Sequence, residues 1–170
     1  HRWHALVYNR AEETAFAEAA DVEPLDAIES RGELLGQRPE DMRNLREPYG
    51  LFFREIYPDR MKAEGPELAA YLQTTIVSDT ARTVRLEFRA SGPVTLTING
   101  EPIEDLPRET DPDVPVRFRP ERRTEAFALS AGENVLVVHT TAPEITANNW
   151  LFGARVVDEN GEGVYTLRFE

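Results

Sequence analysis

The chain has 170 residues, 41% of them apolar, which is enough for one domain with its own core and requires no metal or disulfide for folding. It has no cysteine, so disulfides and thiolate metal sites are excluded. The net charge of −12 is spread along the chain, −5 over residues 1–60 (13 acids, 8 bases) and −7 over 61–170 (18 acids, 11 bases), and it disfavours nucleic acid and anionic membrane surfaces as partners.

Residues 1–10 form a predicted strand with Trp3, Ala5 and Val7 on one side and His4, Leu6 and Tyr8 on the other. Residues 11–20 are rich in Ala and Glu and suit a helix or a solvated loop. Pro24 is placed at the first turn of a short helix carrying Leu25, Ile28 and Leu35, with Gly32 as an interruption. Pro39 opens another predicted helix, with Met42 and Leu45 inward, closed by Pro48 and Gly50. Leu51 to Tyr57 reads as a strand stopped by Pro58-Asp59.

After Gly65-Pro66 the pattern becomes β throughout. Leu68 to Val77 is long and Thr-rich. Thr83 to Ala90 places Val84, Leu86 and Phe88 on one face and Arg85, Glu87 and Arg89 on a wet one. Val94 to Ile98 runs into Asn99-Gly100, a hairpin signal because both residues tolerate positive φ, and Pro102 marks the return strand as an edge or a bulge. Residues 104–115 carry Pro107, Pro112 and Pro115 among acids and read as a long exposed loop. Val116 to Arg119, Ala126 to Leu129, Asn134 to Thr141, Trp150 to Val157 and Val164 to Phe169 supply further strands, the third with the buried run Val135-Leu-Val-Val138. Short strands separated by turn signals about every 8–12 residues, with no internal repeat, indicate a sandwich or jelly roll. No apolar run approaches ~18 residues, so no transmembrane segment is expected. The first residue is His1, which fits either a removed leader or a piece of a longer chain.

The residues that could carry chemistry are few. His1, with His139 from a distant strand, has the makings of a copper site, but strand-end positions account better for His4 and His139. Ser30, Ser78, Ser91 and Ser130 lie in turn or helix-end contexts, and none occupies a nucleophile elbow. The 31 acids single out no pair for glycoside hydrolysis. Asp158, Asn160 and Glu162 in one turn, together with Glu159, are weak calcium candidates, as are Asp111 and Asp113 in another; a polar turn is the simpler reading. Trp150, preceded by Asn148 and Asn149, stands at the mouth of a strand, where core packing and a surface platform are both open to it. Phe52, Phe53 and Tyr57 alternate so that one ring can face outward.

The segments Val94-Thr-Leu-Thr-Ile-Asn-Gly-Glu-Pro-Ile103, Gly132-Glu-Asn-Val-Leu-Val-Val-His139 and Asn149-Trp-Leu-Phe-Gly-Ala-Arg155 form an ordered set. This set, with Tyr71 to Ile76 as the opening strand, resembles the galactose-binding-like jelly-roll modules appended to exported bacterial enzymes, over about residues 68–158. The resemblance implies a non-catalytic module of an exported, extracytoplasmic protein, either docking on a protein partner or its parent chain or binding a glycan.

The expectation is therefore a single all-β domain over residues 1–170, an antiparallel jelly-roll sandwich. Residues 68–170 are its main strand framework and 11–66 a partly helical extension. The expected activity is binding rather than catalysis, with no cofactor. Trp150, Asn148, Asn149, Phe53 and Tyr57 are the expected contact residues, through which the alternative reading, a carbohydrate-binding module, also takes its glycan.

Overall fold

Two-residue alternation in a chain of short apolar segments builds sheets that bury one face each, and a computed structural model shows two of them packed face to face. The structure describes residues 2–12, 42–46, 51–107, 122–143 and 150–170. Among the described residues the first sheet has seven strands and the second six. Those of the first are β1 (Arg2–Asn9), β2 (Met42–Arg46), β4 (Leu68–Ser78), β6 (Val94–Ile98), β7 (Glu101–Ile103), β11 (Gly132–Thr141) and β13 (Arg168–Phe169). Their order is β2-β1-β4-β11-β6-β7, with β13 also paired to β4. Those of the second are β3 (Leu51–Phe52), β5 (Arg82–Ala90), β8 (Asp105–Pro107), β9 (Arg122–Thr124), β10 (Phe127–Leu129) and β12 (Leu151–Val157). Its order is β3-β12-β5-β9-β8, with β10 also paired to β5. The ladders are antiparallel throughout. The fold is the expected all-β antiparallel sandwich with short helices in its amino-terminal part.

The core lies between the sheets. The first sheet contributes Trp3, Ala5 and Val7 from β1, Leu68, Ala70, Leu72 and Ile76 from β4, and Leu136 and Val138 from β11. The second contributes Val84, Leu86 and Phe88 from β5 and Phe152 and Val156 from β12. Trp3 meets Phe152 edge to face across the layer, 5.6 Å between centroids.

Three turns hold the framework, two through left-handed backbone and one through a close approach of two chain segments. Asn99 (φ 52°) and Gly100 (φ 82°) form the tight hairpin between β6 and β7. Gly132 (φ 99°) starts β11, and two residues later Asn134 is fully buried. The Asn134 side chain accepts from Ser130 N (2.9 Å) and donates to the carbonyls of Ser130 (3.0 Å) and Gly132 (3.2 Å), so it closes the turn that launches the strand. At Gly92 a side chain is sterically excluded, because an added Cβ would lie 2.0 Å from the Thr141 carbonyl oxygen.

Three expected elements differ, one of them being the strand expected over Val164 to Phe169, which is reduced to β13 with Tyr165 and Thr166 in a turn. Residues Met42–Arg46 are not a helix but strand β2, in register with β1 from Arg2↔Arg46 to Leu6↔Met42. The exposed ladder of β1 gives this segment's backbone groups partners outside itself, and tertiary pairing outweighs local propensity. Leu51–Tyr57 is extended only through Phe52, after which come α1 (Phe53–Ile56) and α2 (Pro58–Ala63). The helical turn wins because Phe53, Tyr57 and Met61 are spaced by four, which puts all three on the core side; they are 0%, 3% and 4% exposed. Arg60 ties α2 to β1 through the Val7 carbonyl (3.2 Å) and holds Glu64 through Nε and Nη2, both at 2.8 Å. The amino-terminal extension thus supplies a strand to each sheet. The helix expected at Pro24, the strand at 116–119 and most of the 104–115 loop lie outside the described residues, though Asp105–Pro107 within that loop is strand β8.

Candidate functional site

The rings expected to make contacts are interior. Trp150 stacks on Phe53 with centroids 3.9 Å apart and planes at 15°, and its Nε1 donates to Thr140 Oγ1 at 3.3 Å. Phe53 N in turn donates to the Trp150 carbonyl, 3.1 Å away. Trp150, Phe53 and Tyr57 are buried, so in this structure they close one end of the sandwich and present no face to a ligand. The physical reason is that an indole whose only polar atom finds a buried hydroxyl gains more from packing than from hydration. Asn148 and Asn149 lie outside the described residues.

The weak calcium turn also has another use for its oxygens. Asp158 Oδ1 accepts the backbone N–H of Asn160 (2.9 Å) and of Glu162 (2.8 Å), and Gly161 supplies a φ of 86°. This is an Asx-type turn, built by the carboxylate folding back on its own loop. Among the described residues no group of three or more His, Asp or Glu side chains is arranged to hold a metal.

The two outer faces of the sandwich differ in chemistry. On the seven-stranded sheet, the side chains facing away from the core include Leu6, Tyr8, Ala69, Tyr71, Gln73 and Val137, and all are buried. Tyr8 stacks on Tyr71 (5.7 Å), Tyr71 lies against His139 (4.6 Å), and the Tyr8 hydroxyl is 2.9 Å from His139 Nε2. His139 is thus part of an aromatic cluster on a covered face rather than at the wet end of its strand, and His4 pairs with Gln73, two positions along β4 from Tyr71.

On the six-stranded sheet the outward positions include a series of charged side chains. Residues paired across strands share a face, and the outward series runs Phe52 on β3, Arg155 on β12, Arg85, Glu87 and Arg89 on β5, Arg123 on β9 and Leu106 on β8. Arg123 and Arg155 are exposed, Arg85 and Arg89 half-buried, and Glu87 only 4% exposed. Arg155 holds Glu87 Oε2 through Nε (2.8 Å) and Nη2 (2.6 Å). Arg85 Nη1 donates to the Glu159 carbonyl at 3.3 Å. Arg123 has no ion-pair partner among the described residues. Phe52 (44% exposed) and Leu106 (36%) stand at the two ends of this face, and Glu104 and Glu125 stand just past the ends of β8 and β9. A third large apolar side chain, Tyr165, is 96% exposed in the turn before β13.

The outward ring of the Phe52–Phe53 pair is therefore Phe52. The arginine series was visible in part, as the alternation of Arg85, Glu87 and Arg89; its extension to Arg123 and Arg155 depends on strand neighbours far apart in sequence.

The sequence matches no protein-family model and no curated protein. Among solved structures, the fold is similar to part of a β-glucosidase from Kluyveromyces marxianus, with a TM-score of 0.57, 13% identity and coverage of 92% of this chain but only 16% of that one. The same enzyme solved in complex with glucose gives a TM-score of 0.57 at 15% identity and the same coverage. The chain thus corresponds to about a sixth of the β-glucosidase's length, and the likeness is one of fold.

Proposed function

We propose that this chain is a non-catalytic binding module that docks within a larger exported or membrane-associated assembly, with the outer face of the six-stranded sheet as its contact surface. The observation that carries this reading is the exposed arginine face bounded by Phe52 and Leu106. Arginine and aromatic side chains are the residues that protein interfaces favour, and a rigid sheet presents them with little ordering cost. An extracytoplasmic location and an accessory role belong to the same reading, as does kinship with galactose-binding-like modules.

A second reading has one observation in its favour. A domain of this fold occurs within a β-glucosidase, so a glycan-binding role for the chain, through the exposed rings of Phe52 and Tyr165 rather than Trp150, is the alternative. Affinity electrophoresis in gels containing neutral polysaccharides, run beside capture from the native cells, separates the two. Docking predicts a discrete partner retained by the natural protein and lost with F52A/R123E at unchanged melting temperature. Retardation by a neutral polysaccharide that survives R123E and disappears with F52A or Tyr165→Ala would replace docking by glycan binding.

A further inference from the structure

The chain carries −12, yet among the described residues the outward strand positions of one sheet hold four arginines against a single glutamate, with Glu104 and Glu125 just past the strand ends. Solubility does not explain this arrangement, since any exposed charge would serve that purpose. Core packing does not explain it either, because these side chains point away from the core and two of them are exposed. The lone acid is itself informative. Glu87 is taken by the Nε and Nη2 edge of Arg155, so one guanidinium of this face already grips a carboxylate. Arg123, on the strand at the other side of Glu87, offers the same fork with no acid of the described residues to fill it.

The geometry also favours a compact anion-bearing surface over a long polyanion. Neighbouring strands are about 4.8 Å apart and residues about 3.4 Å apart along a strand, so the arginines fall within a patch roughly 15 Å on a side. A polymer extending past that patch would meet the rest of an acidic protein and be repelled. A folded surface with a few carboxylates would not extend so far. The apolar ends of the patch, Phe52 and Leu106, match a protein partner better than a sulfated or uronate polysaccharide, which has little apolar area to bury against them.

Resting on the reading of this face as the contact surface, we propose that its partner is a carboxylate-rich protein surface, gripped by Arg85, Arg123 and the outer edge of Arg155. A patch this small is the centre of an interface of the weaker, electrostatically steered class, so binding is salt-dependent.

The test uses the full chain over an immobilised peptide of about four glutamates on a neutral linker, a length that matches the patch, with oligogalacturonate and heparin oligosaccharide of similar length as parallel surfaces. The proposal expects retention on the glutamate peptide that weakens at least about tenfold between about 50 and about 300 mM NaCl. R85E/R123E should weaken it by a similar factor. R54E/R168E, with the same net charge and exposed arginines elsewhere, should leave it within about twofold. A melting curve for each variant guards against loss of fold. Equal loss in both double variants, or no retention at all on the glutamate peptide, overturns the proposal. Retention on the heparin or galacturonate oligosaccharide alone also overturns it in favour of an anionic glycan. If the glutamate peptide fails while partner capture still depends on Arg123, the contact surface stands and only its carboxylate partner is wrong.

Discussion

The two outer faces of the sandwich start from the same strand alternation and end in opposite states. On the seven-stranded sheet the outward side chains of β1, β4 and β11 include a buried set, Leu6, Tyr8, Ala69, Tyr71 and Val137, in which the two tyrosines stack. On the six-stranded sheet the outward side chains include four guanidiniums, and the exposed ones reach solvent. The same pleat thus yields a second, structural layer on one side and a surface for contact on the other. The Tyr8–Tyr71–His139 cluster, with both tyrosines buried, stabilises by area and by its hydrogen bond, whereas an exposed arginine without an ion pair, such as Arg123, contributes little to folding.

That contrast can be broken by substitution, and the largest effect should come from the interior that both sheets share. Trp150→Ala should lose about 3–5 kcal/mol in denaturant unfolding, because it removes the Phe53 stack and leaves a cavity. A loss under about 1 kcal/mol would show that the indole is not packed as described and would return it to the surface. On the covered face, Tyr8→Ala should cost about 2–4 kcal/mol, since the ring is 1% exposed and its hydroxyl partners His139. On the charged face, Arg155→Ala should cost about 1–3 kcal/mol by removing the guanidinium that grips the buried Glu87 carboxylate, and the double variant with Glu87→Gln should recover much of that loss. Smallest of all, Phe52→Ala and Arg123→Ala should each stay within about 0.5 kcal/mol in the same measurement. If either costs as much as Tyr8→Ala, the two faces are alike and the contact surface has been misplaced.

The sequence disclosed the sandwich because its informative residues act locally. Asn99-Gly100 needs only its own positive φ angles, and Gly132-x-Asn134 closes its turn within five residues. The alternation of Val84, Leu86 and Phe88 fixes a core face by itself. What misled the reading was a competing period. Phe52-Phe53 looks like alternation, but Phe53, Tyr57 and Met61 recur every four residues, and that helical spacing governs the segment after Phe52. Met42–Arg46 is a strand only because β1 is beside it, which no local pattern reveals. Trp150 suits a platform or a core equally well until Thr140 and Phe53 are found around it. The arginine face was hidden by the net charge, which averages over positions. Only the register Arg155↔Glu87↔Arg123 gathers these residues, from three separate stretches of chain, onto one surface.

The central claim is that the charged face makes the contacts and the aromatic face holds the fold. A photo-crosslinking side chain placed at position 123 of the protein in its native cells, with another at exposed Thr95 on the opposite sheet, tests it most directly. The account predicts a discrete crosslinked protein product from position 123, abolished by Arg85→Glu, and none from position 95. A product from position 95 alone, or one from position 123 indifferent to Arg85, would contradict it.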